Sequence, residues 1–259
     1  MAGRTGIYKD GRYGGVVYLP STAENDFLPD FPEEPVDLIY LCFPNNPTGA
    51  TISREALGRW VDFARDNHAL ILFDAAYESF IRDNSLPHSI YEVEGAKEVA
   101  VEFFSLSKSY SMAGWRVGFC VGNQEAVHAL RRIKSYLDYG IFQPIQIASI
   151  IALNEDQSCV ADIRDTYRDR RDALITGLER AGWDVPSPRG TMFVWARIPE
   201  AFRHMGSVDF SKFLIREAKV AVSPGLGFGN YGDDYVRFAL IENSMRIGQA
   251  VRGIRNVIK

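Results

Sequence analysis

The sequence predicts an α/β fold, with a mixed and mainly parallel sheet in its first part and a smaller α+β unit after it. Residues 36–43 (VDLIYLCF) and 69–74 (ALILFD) are nearly continuous apolar runs, the mark of strands covered on both faces. Between them Leu57, Trp60, Val61 and Ala64 recur at helical spacing behind Ser53, a suitable N-cap. Strand, helix and strand then make a βαβ unit with parallel strands and a right-handed crossover. Beyond a long charged helical stretch, three further strand patterns and a last amphipathic helix form the second unit.

Each element has its own signal. Residues 1–35 are rich in Gly, Pro and acidic side chains and read as a connecting segment with one strand at 15–19. After the βαβ unit, residues 99–105 (VAVEFFS) and 115–122 (WRVGFCVG) are two more strands, with Lys108 in the short loop between them. Helices follow at 124–137, 146–153 and 159–181, the first two parted by Tyr139-Gly140. Strands at 191–198, 220–223 and 235–241 then lead to a final helix with Ile247, Val251, Ile254 and Ile258 on one face. The expected division is residues 1–153 as a partial large domain and 154–259 as a small C-terminal domain.

Composition narrows the function classes. The 259 residues carry 29 Lys and Arg against 33 Asp and Glu, a net charge of -4. Nothing in that balance offers a field for nucleic acid or an anionic membrane. Cys42, Cys120 and Cys159 are scattered without CxxC spacing, and the four histidines are equally dispersed. A reduced compartment suits them, and neither a disulfide framework nor a metal site is expected. The N-terminus lacks the apolar core of a signal peptide, and the longest mostly apolar stretch, 145–153, is too short to span a bilayer. A cytoplasmic protein is expected.

Ligands of open α/β sheets sit beyond the carboxyl ends of the strands. Three polar groups fall there: Asn46 after the first strand, Asp74 closing the second and Lys108 after the third. Singly, each is ordinary. Asn-Pro-Thr-Gly is a good turn, an Asp closing a strand is commonly a cap, and a lysine among serines is usually solvated. One lure is set aside: Gly227-Phe-Gly-Asn-Tyr-Gly232 fits GxGxxG but leads into a strand and carries Asp233 and Asp234 behind it. A dinucleotide site needs that motif to follow a strand and open a helix. A Gly-rich loop beside the substrate, just ahead of Arg237, fits better.

Together the groups form an ordered set. Asn45-Asn-Pro-Thr-Gly49, Asp74-Ala-Ala-Tyr77, Ser105-Leu-Ser107-Lys108, Arg116 eight residues after the lysine, and Tyr235-Val-Arg237 occur in sequence. From about Phe27 to its end, the chain resembles the class I/II aminotransferases of pyridoxal 5′-phosphate (PLP) fold type I. The resemblance implies that Lys108 holds the cofactor as a Schiff base and moves a proton between substrate and cofactor. It implies that a buried Asp74 keeps the pyridine nitrogen protonated, and that Tyr77 and Asn46 hydrogen-bond the ring oxygen. Ser105 and Arg116 would hold the phosphate, with Ser107 beside them. Arg237 would take the substrate α-carboxylate in a bidentate fork, helped by Asn46.

Two branches of that family share the resemblance. Glu24-Asn-Asp-Phe-Leu-Pro-Asp30, Phe73-Asp-Ala-Ala-Tyr-Glu-Ser-Phe80 and Ser89-Ile-Tyr-Glu92 resemble LL-diaminopimelate aminotransferases, which points to lysine biosynthesis. Ser105 to Tyr110 and Lys134-Ser-Tyr-Leu-Asp-Tyr-Gly140 look closer to the alanine/glutamate-type branch. Tyr139 stands where plant-type diaminopimelate enzymes carry an Asn that contacts substrate across the dimer. The expected function is amino transfer between an amino acid and a 2-oxo acid, of the LL-diaminopimelate type ahead of the alanine/glutamate type, in a homodimer when full length. A PLP-dependent β-lyase and a non-catalytic truncated fragment are the alternatives. Family members carry further sequence ahead of the segment matching Met1, including the backbone phosphate cup and the ring that stacks on PLP. The chain therefore reads as a fragment or a truncated gene product, whose apolar strand residues Ile39, Leu41 and Phe43 are expected to lack cover.

Overall fold

Alternation along the first strand decides how the main sheet is covered. In β1 (Leu38–Cys42) Ile39 and Leu41 are buried, whereas Tyr40 between them is 70% exposed. The computed structural model describes residues 8–9, 12–81 and 83–258. Among them one face of β1 is covered, not the two its continuous apolar run implied. The expectation for Ile39, Leu41 and Phe43 is corrected in the same way, because all three are buried in one core. The open side carries Tyr40.

The cover is α1 (Arg54–Asp66). Ser53 Oγ accepts from the Ala56 N–H at 3.1 Å and caps the helix, which presents Leu57, Trp60, Val61 and Ala64 to the sheet. Those four pack with Ile39, Leu41 and the Ile71 and Phe73 of β2 (Leu70–Asp74). Burying a Leu, Val or Ile fully is worth about 1.5–3 kcal/mol each, so this layer fixes the βαβ unit. β2 pairs in parallel with both β1 and β3 (Ala100–Ser105), and β4 (Gly118–Gly122) closes the edge antiparallel to β3. The sheet order is β1-β2-β3-β4, mixed and mainly parallel. α2 (Leu106–Ser109), one turn long, links β3 towards β4.

α3 (Gln124–Leu137) and α4 (Gln143–Asn154) bury none of their residues among the described ones. Leu137, Tyr139 and Phe142, around the turn between them, are exposed. α5 (Ser158–Arg180) then runs to a second core, to which it gives Leu174, Ile175 and Leu178. That core sits on an antiparallel sheet of order β5-β7-β6, made of β5 (Phe193–Arg197), β6 (Ser223–Pro224) and β7 (Tyr235–Ala239). α6 (Gly206–Phe213) contributes Phe210, and α7 (Ser244–Ile258) contributes Ile247 and Ile254. Trp183 is buried there with its indole N–H on the Arg197 carbonyl oxygen at 2.7 Å.

Residues 15–19 are not a strand. Gly15 turns the chain at a φ of 75°, and Val16, Val17 and Tyr18 stay exposed without a ladder partner among the described residues. No helix of the described residues is long and apolar enough to cross a membrane.

Candidate active site

The turn after β1 is built to present Asn46. Asn45 Oδ1 accepts from the Thr48 N–H at 3.2 Å and from Thr48 Oγ1 at 2.9 Å, while the Gly49 N–H returns to the Asn45 carbonyl at 2.9 Å. Asn and Gly supply this local bonding and the positive φ of 73° at Gly49. Asn45 is consumed by the turn, which leaves Asn46 to reach outward. Its Oδ1 accepts from Arg237 Nη1 at 2.7 Å.

Arg237 comes from β7, in the other sheet. Register pairs it with Ser223 on β6, whose Oγ accepts from Nη2 at 3.2 Å. The guanidinium lies between two rings, 4.1 Å from the centre of Phe193 and 4.6 Å from that of Phe228. Phe228 belongs to the Gly-rich loop, which leads into β7. Arg237 Nε is buried and has no hydrogen-bond partner among the described residues. Burial pulls the guanidinium down from its ordinary value. An orphaned buried donor on a stacked cation is a ready seat for an anion.

Parallel register sets the strand ends side by side. Cys42 pairs with Asp74, and Asp74 pairs with Phe103. Asp74 Oδ1 accepts from the Ala76 N–H at 3.1 Å, and the carboxylate is exposed. A buried Asp74 was expected, so this is a correction. The cause is the open side of the sheet, where Cys42, Leu72, Asp74, Phe104 and Ser105 line a concavity of about 510 Å³. Tyr77 is buried edge-on against Phe193, ring centres 5.6 Å apart. Burial pushes its phenol up to about 12, helped by nearby Cys42 and Asp74 and opposed by Arg237 and Asn46. Burial likewise pushes the Cys42 thiol up to about 11. Asn46, Asp74, Tyr77 and Arg237 thus share one neighbourhood.

The lysine stands beside it. Ser105 ends β3 and its Oγ caps α2 by accepting from the Ser107 N–H at 3.3 Å. Ser107 is buried, and Lys108 is half-buried, with no hydrogen bond or ion pair from its ammonium to a described residue. Arg116 is exposed, holds a φ of 53° and donates from Nη1 to the Ala113 carbonyl oxygen at 3.1 Å. No hydrogen bond joins it to Ser105 or Ser107.

Several contributors carried no sequence signal. Ser223 and Phe193 matter only through the register of the second sheet, and Phe228 only through the fold of its loop. Glu78 and Ser109 meet behind the lysine, with Ser109 Oγ donating to Glu78 Oε1 at 3.2 Å.

The family model for aminotransferase class I and II matches residues 16–252. The chain belongs to that family. It is 53% identical over 222 residues to the glutamate-pyruvate aminotransferase AlaC of Escherichia coli, covering 86% of this chain and 54% of that one. With an LL-diaminopimelate aminotransferase of Desulforapulum autotrophicum it shares 42% identity over 271 residues, covering 100% of this chain and 65% of the relative. The chain therefore spans little more than half, and up to two thirds, of these curated relatives. Among solved structures, apo-BacF from Bacillus subtilis superposes with a TM-score of 0.87 at 33% identity, covering 92% of this chain and 65% of that one. The L,L-diaminopimelate aminotransferase of Chlamydomonas reinhardtii gives 0.87 at 27% identity, covering 98% and 64%. PLP is the cofactor of this class, and the fold is that of its fold type I members.

Proposed function

We propose that this chain carries the lysine, ring-binding and carboxylate-binding residues of a PLP-dependent aminotransferase that moves an amino group between an amino acid and a 2-oxo acid. The observation that carries the reading is Arg237, a stacked guanidinium with an unused buried Nε, bonded to Asn46 beside Asp74 and Tyr77. The donor set fits the cofactor. Ser105, Ser107 and Arg116 offer hydroxyls and a cation to a phosphate, and Lys108 offers an amine with no other partner among the described residues. Asp74 offers a carboxylate to a ring nitrogen, and Tyr77 and Asn46 offer donors to a ring oxygen.

When bound, PLP supplies an electron-accepting ring that stabilises negative charge at the substrate Cα. The chain does the rest. Arg237 binds and orients the α-carboxylate, with Asn46 fixing the guanidinium plane. Tyr77 keeps its proton throughout the neutral range, so it acts as a donor. Lys108 would hold the cofactor through its amine, and the same amine would move a proton at Cα as base and then acid.

Higher identity to the glutamate-pyruvate enzyme, together with Tyr139 in place of Asn, favours an alanine/glutamate-type substrate pair. A diaminopimelate substrate, and with it lysine biosynthesis, is supported by alignment along the whole chain. We propose two domains divided at 153/154, each with its own core, a cytoplasmic location, and a homodimer seated on the exposed apolar residues of α3 and α4. The test adds PLP and records the visible spectrum, then supplies L-alanine or LL-diaminopimelate with 2-oxoglutarate. Glutamate formed from alanine supports the first pair, and glutamate formed only from diaminopimelate supports the second. Ammonia and pyruvate without glutamate would overturn transamination in favour of a β-lyase. No absorbance change would make the chain non-catalytic.

A further inference from the structure

α2 carries Lys108, yet it is a single turn, far too short to hold itself in water. Its place must come from what it touches. Leu106 is buried and its N–H donates to the Val117 carbonyl at 3.2 Å, which fixes the front of the turn. The back is fixed by polar contacts. Ser109 is buried, its Oγ donates to Glu78 Oε1 at 3.2 Å, and the same hydroxyl lies 3.0 Å from Ser79 Oγ. Tyr110 Oη donates to Gln157 Oε1 at 2.6 Å, just ahead of α5.

The chain positions make this contact specific. Glu78 directly follows Tyr77, and Ser109 directly follows Lys108. One hydrogen bond therefore ties the residues next to two members of the site, which come from different strand ends. Resting on the PLP reading above, we propose that Glu78 is a positioning residue for Lys108, holding the lysine turn at a fixed distance from Tyr77 through Ser109. Glu78 touches no substrate or cofactor in this role. Its carboxyl is an expensive group to bury: burial pushes it up to about 7, against the pull of Ser109. Glu102 on β3, itself buried, is the other carboxyl near it. A simple space-filling residue would avoid that cost but would leave the Ser109 hydroxyl without its carboxyl acceptor.

The 259-residue chain is incubated with PLP, reduced with borohydride, and the pyridoxyl label on each lysine is quantified by peptide mapping. Glu78→Ala is expected to lower the labelling rate of Lys108 roughly tenfold, the scale of one lost hydrogen bond to a carboxyl group. Glu78→Gln keeps an acceptor and is expected to restore it to within about twofold. Hydrogen exchange without PLP gives a second readout, because the Tyr110 and Met112 N–H groups both bond the Leu106 carbonyl. In Glu78→Ala these two should exchange faster while the β2 amides keep their protection. Normal labelling of Lys108 in Glu78→Ala, or equal losses in the Ala and Gln variants, overturns the inference alone. General loss of protection across β2 in Glu78→Ala, with no rescue in Glu78→Gln, overturns it in favour of a purely structural role. Absence of label on Lys108 in the unaltered chain overturns the PLP reading and this inference with it.

Discussion

Arg237 Nη1 donates to Asn46 Oδ1 at 2.7 Å across 191 residues of chain, so a single hydrogen bond joins the β1 turn to the second sheet. Neither residue can move its polar end without the other. Asn46 and Arg237, proposed above as ring-oxygen donor and carboxylate seat, are therefore one unit, with the guanidinium stacked on Phe193 and Phe228.

Arg237→Ala should weaken every amino-acid ligand alike. Each charge-assisted bond lost costs about 1.5–3 kcal/mol, roughly tenfold or more in affinity. Spectral titration of the PLP-loaded protein with several amino acids checks this. A variant that loses PLP but keeps amino-acid affinity would reassign Arg237 to the cofactor.

Lys108→Ala should abolish the borohydride-fixed pyridoxyl label while leaving the fold intact, since its ammonium has no partner among the described residues. Peptide mapping and circular dichroism decide it together. Label that persists on another lysine at wild-type yield would sink the assignment.

Glu102 is fully buried, with Ser89 Oγ donating to Oε2 at 2.5 Å and the Ile90 N–H to Oε1 at 3.3 Å. Burial still outweighs those bonds and pushes its carboxyl up to about 7. A folded-state value above the unfolded one means stability fully present below about pH 4.5 and lost as pH rises through 7. The contribution is on the order of 3 kcal/mol. Glu102→Gln should flatten that fall, read as urea midpoints at pH 5 and pH 8 for both proteins. An unchanged difference between the two pH values would show that Glu102 ionises freely.

Gly49 holds a φ of 73°, and a Cβ there would meet Pro188 Cβ at 2.6 Å. Gly49→Ala combines a left-handed cost of roughly 1–2 kcal/mol with a clash of about 1–3 kcal/mol. Thermal unfolding should shift clearly downward. A variant that melts with the parent would mean that the turn tolerates another backbone path.

Much of this was legible in the residues. Ser53 as cap, the Leu57–Trp60–Val61–Ala64 stripe and the flanking apolar runs specified β1, α1 and β2 because local bonding and periodicity both pointed the same way. The polar residues at the strand ends followed from the parallel order of those strands. One-sided cover was hidden, because Leu38, Tyr40 and Cys42 are as apolar as Ile39 and Leu41 and erase the alternation. The burial expected of Asp74 comes from the family resemblance, and the open face of the sheet at its strand end leaves the carboxylate exposed. Ser223 and Phe193 reach Arg237 only through cross-strand register, and Glu78 reaches Ser109 only through tertiary folding, relations no local pattern records. Residues 15–19 had strand composition but found no ladder partner among the described residues, and composition alone does not make a strand.

α5 ties two distant places. Gln157, just ahead of its first turn, holds Tyr110 behind the lysine, and Leu174, Ile175 and Leu178 near its far end are fixed in the C-terminal core. At 1.5 Å per residue its 23 residues form a rod of about 35 Å. Such a rod is a lever: tilting it about 5° around the core end sweeps the lysine end by roughly 3 Å. That exceeds the slack of a hydrogen bond, so a tilt of that size would break the Tyr110–Gln157 contact, and the helix must stay aligned with the C-terminal core for the contact to persist.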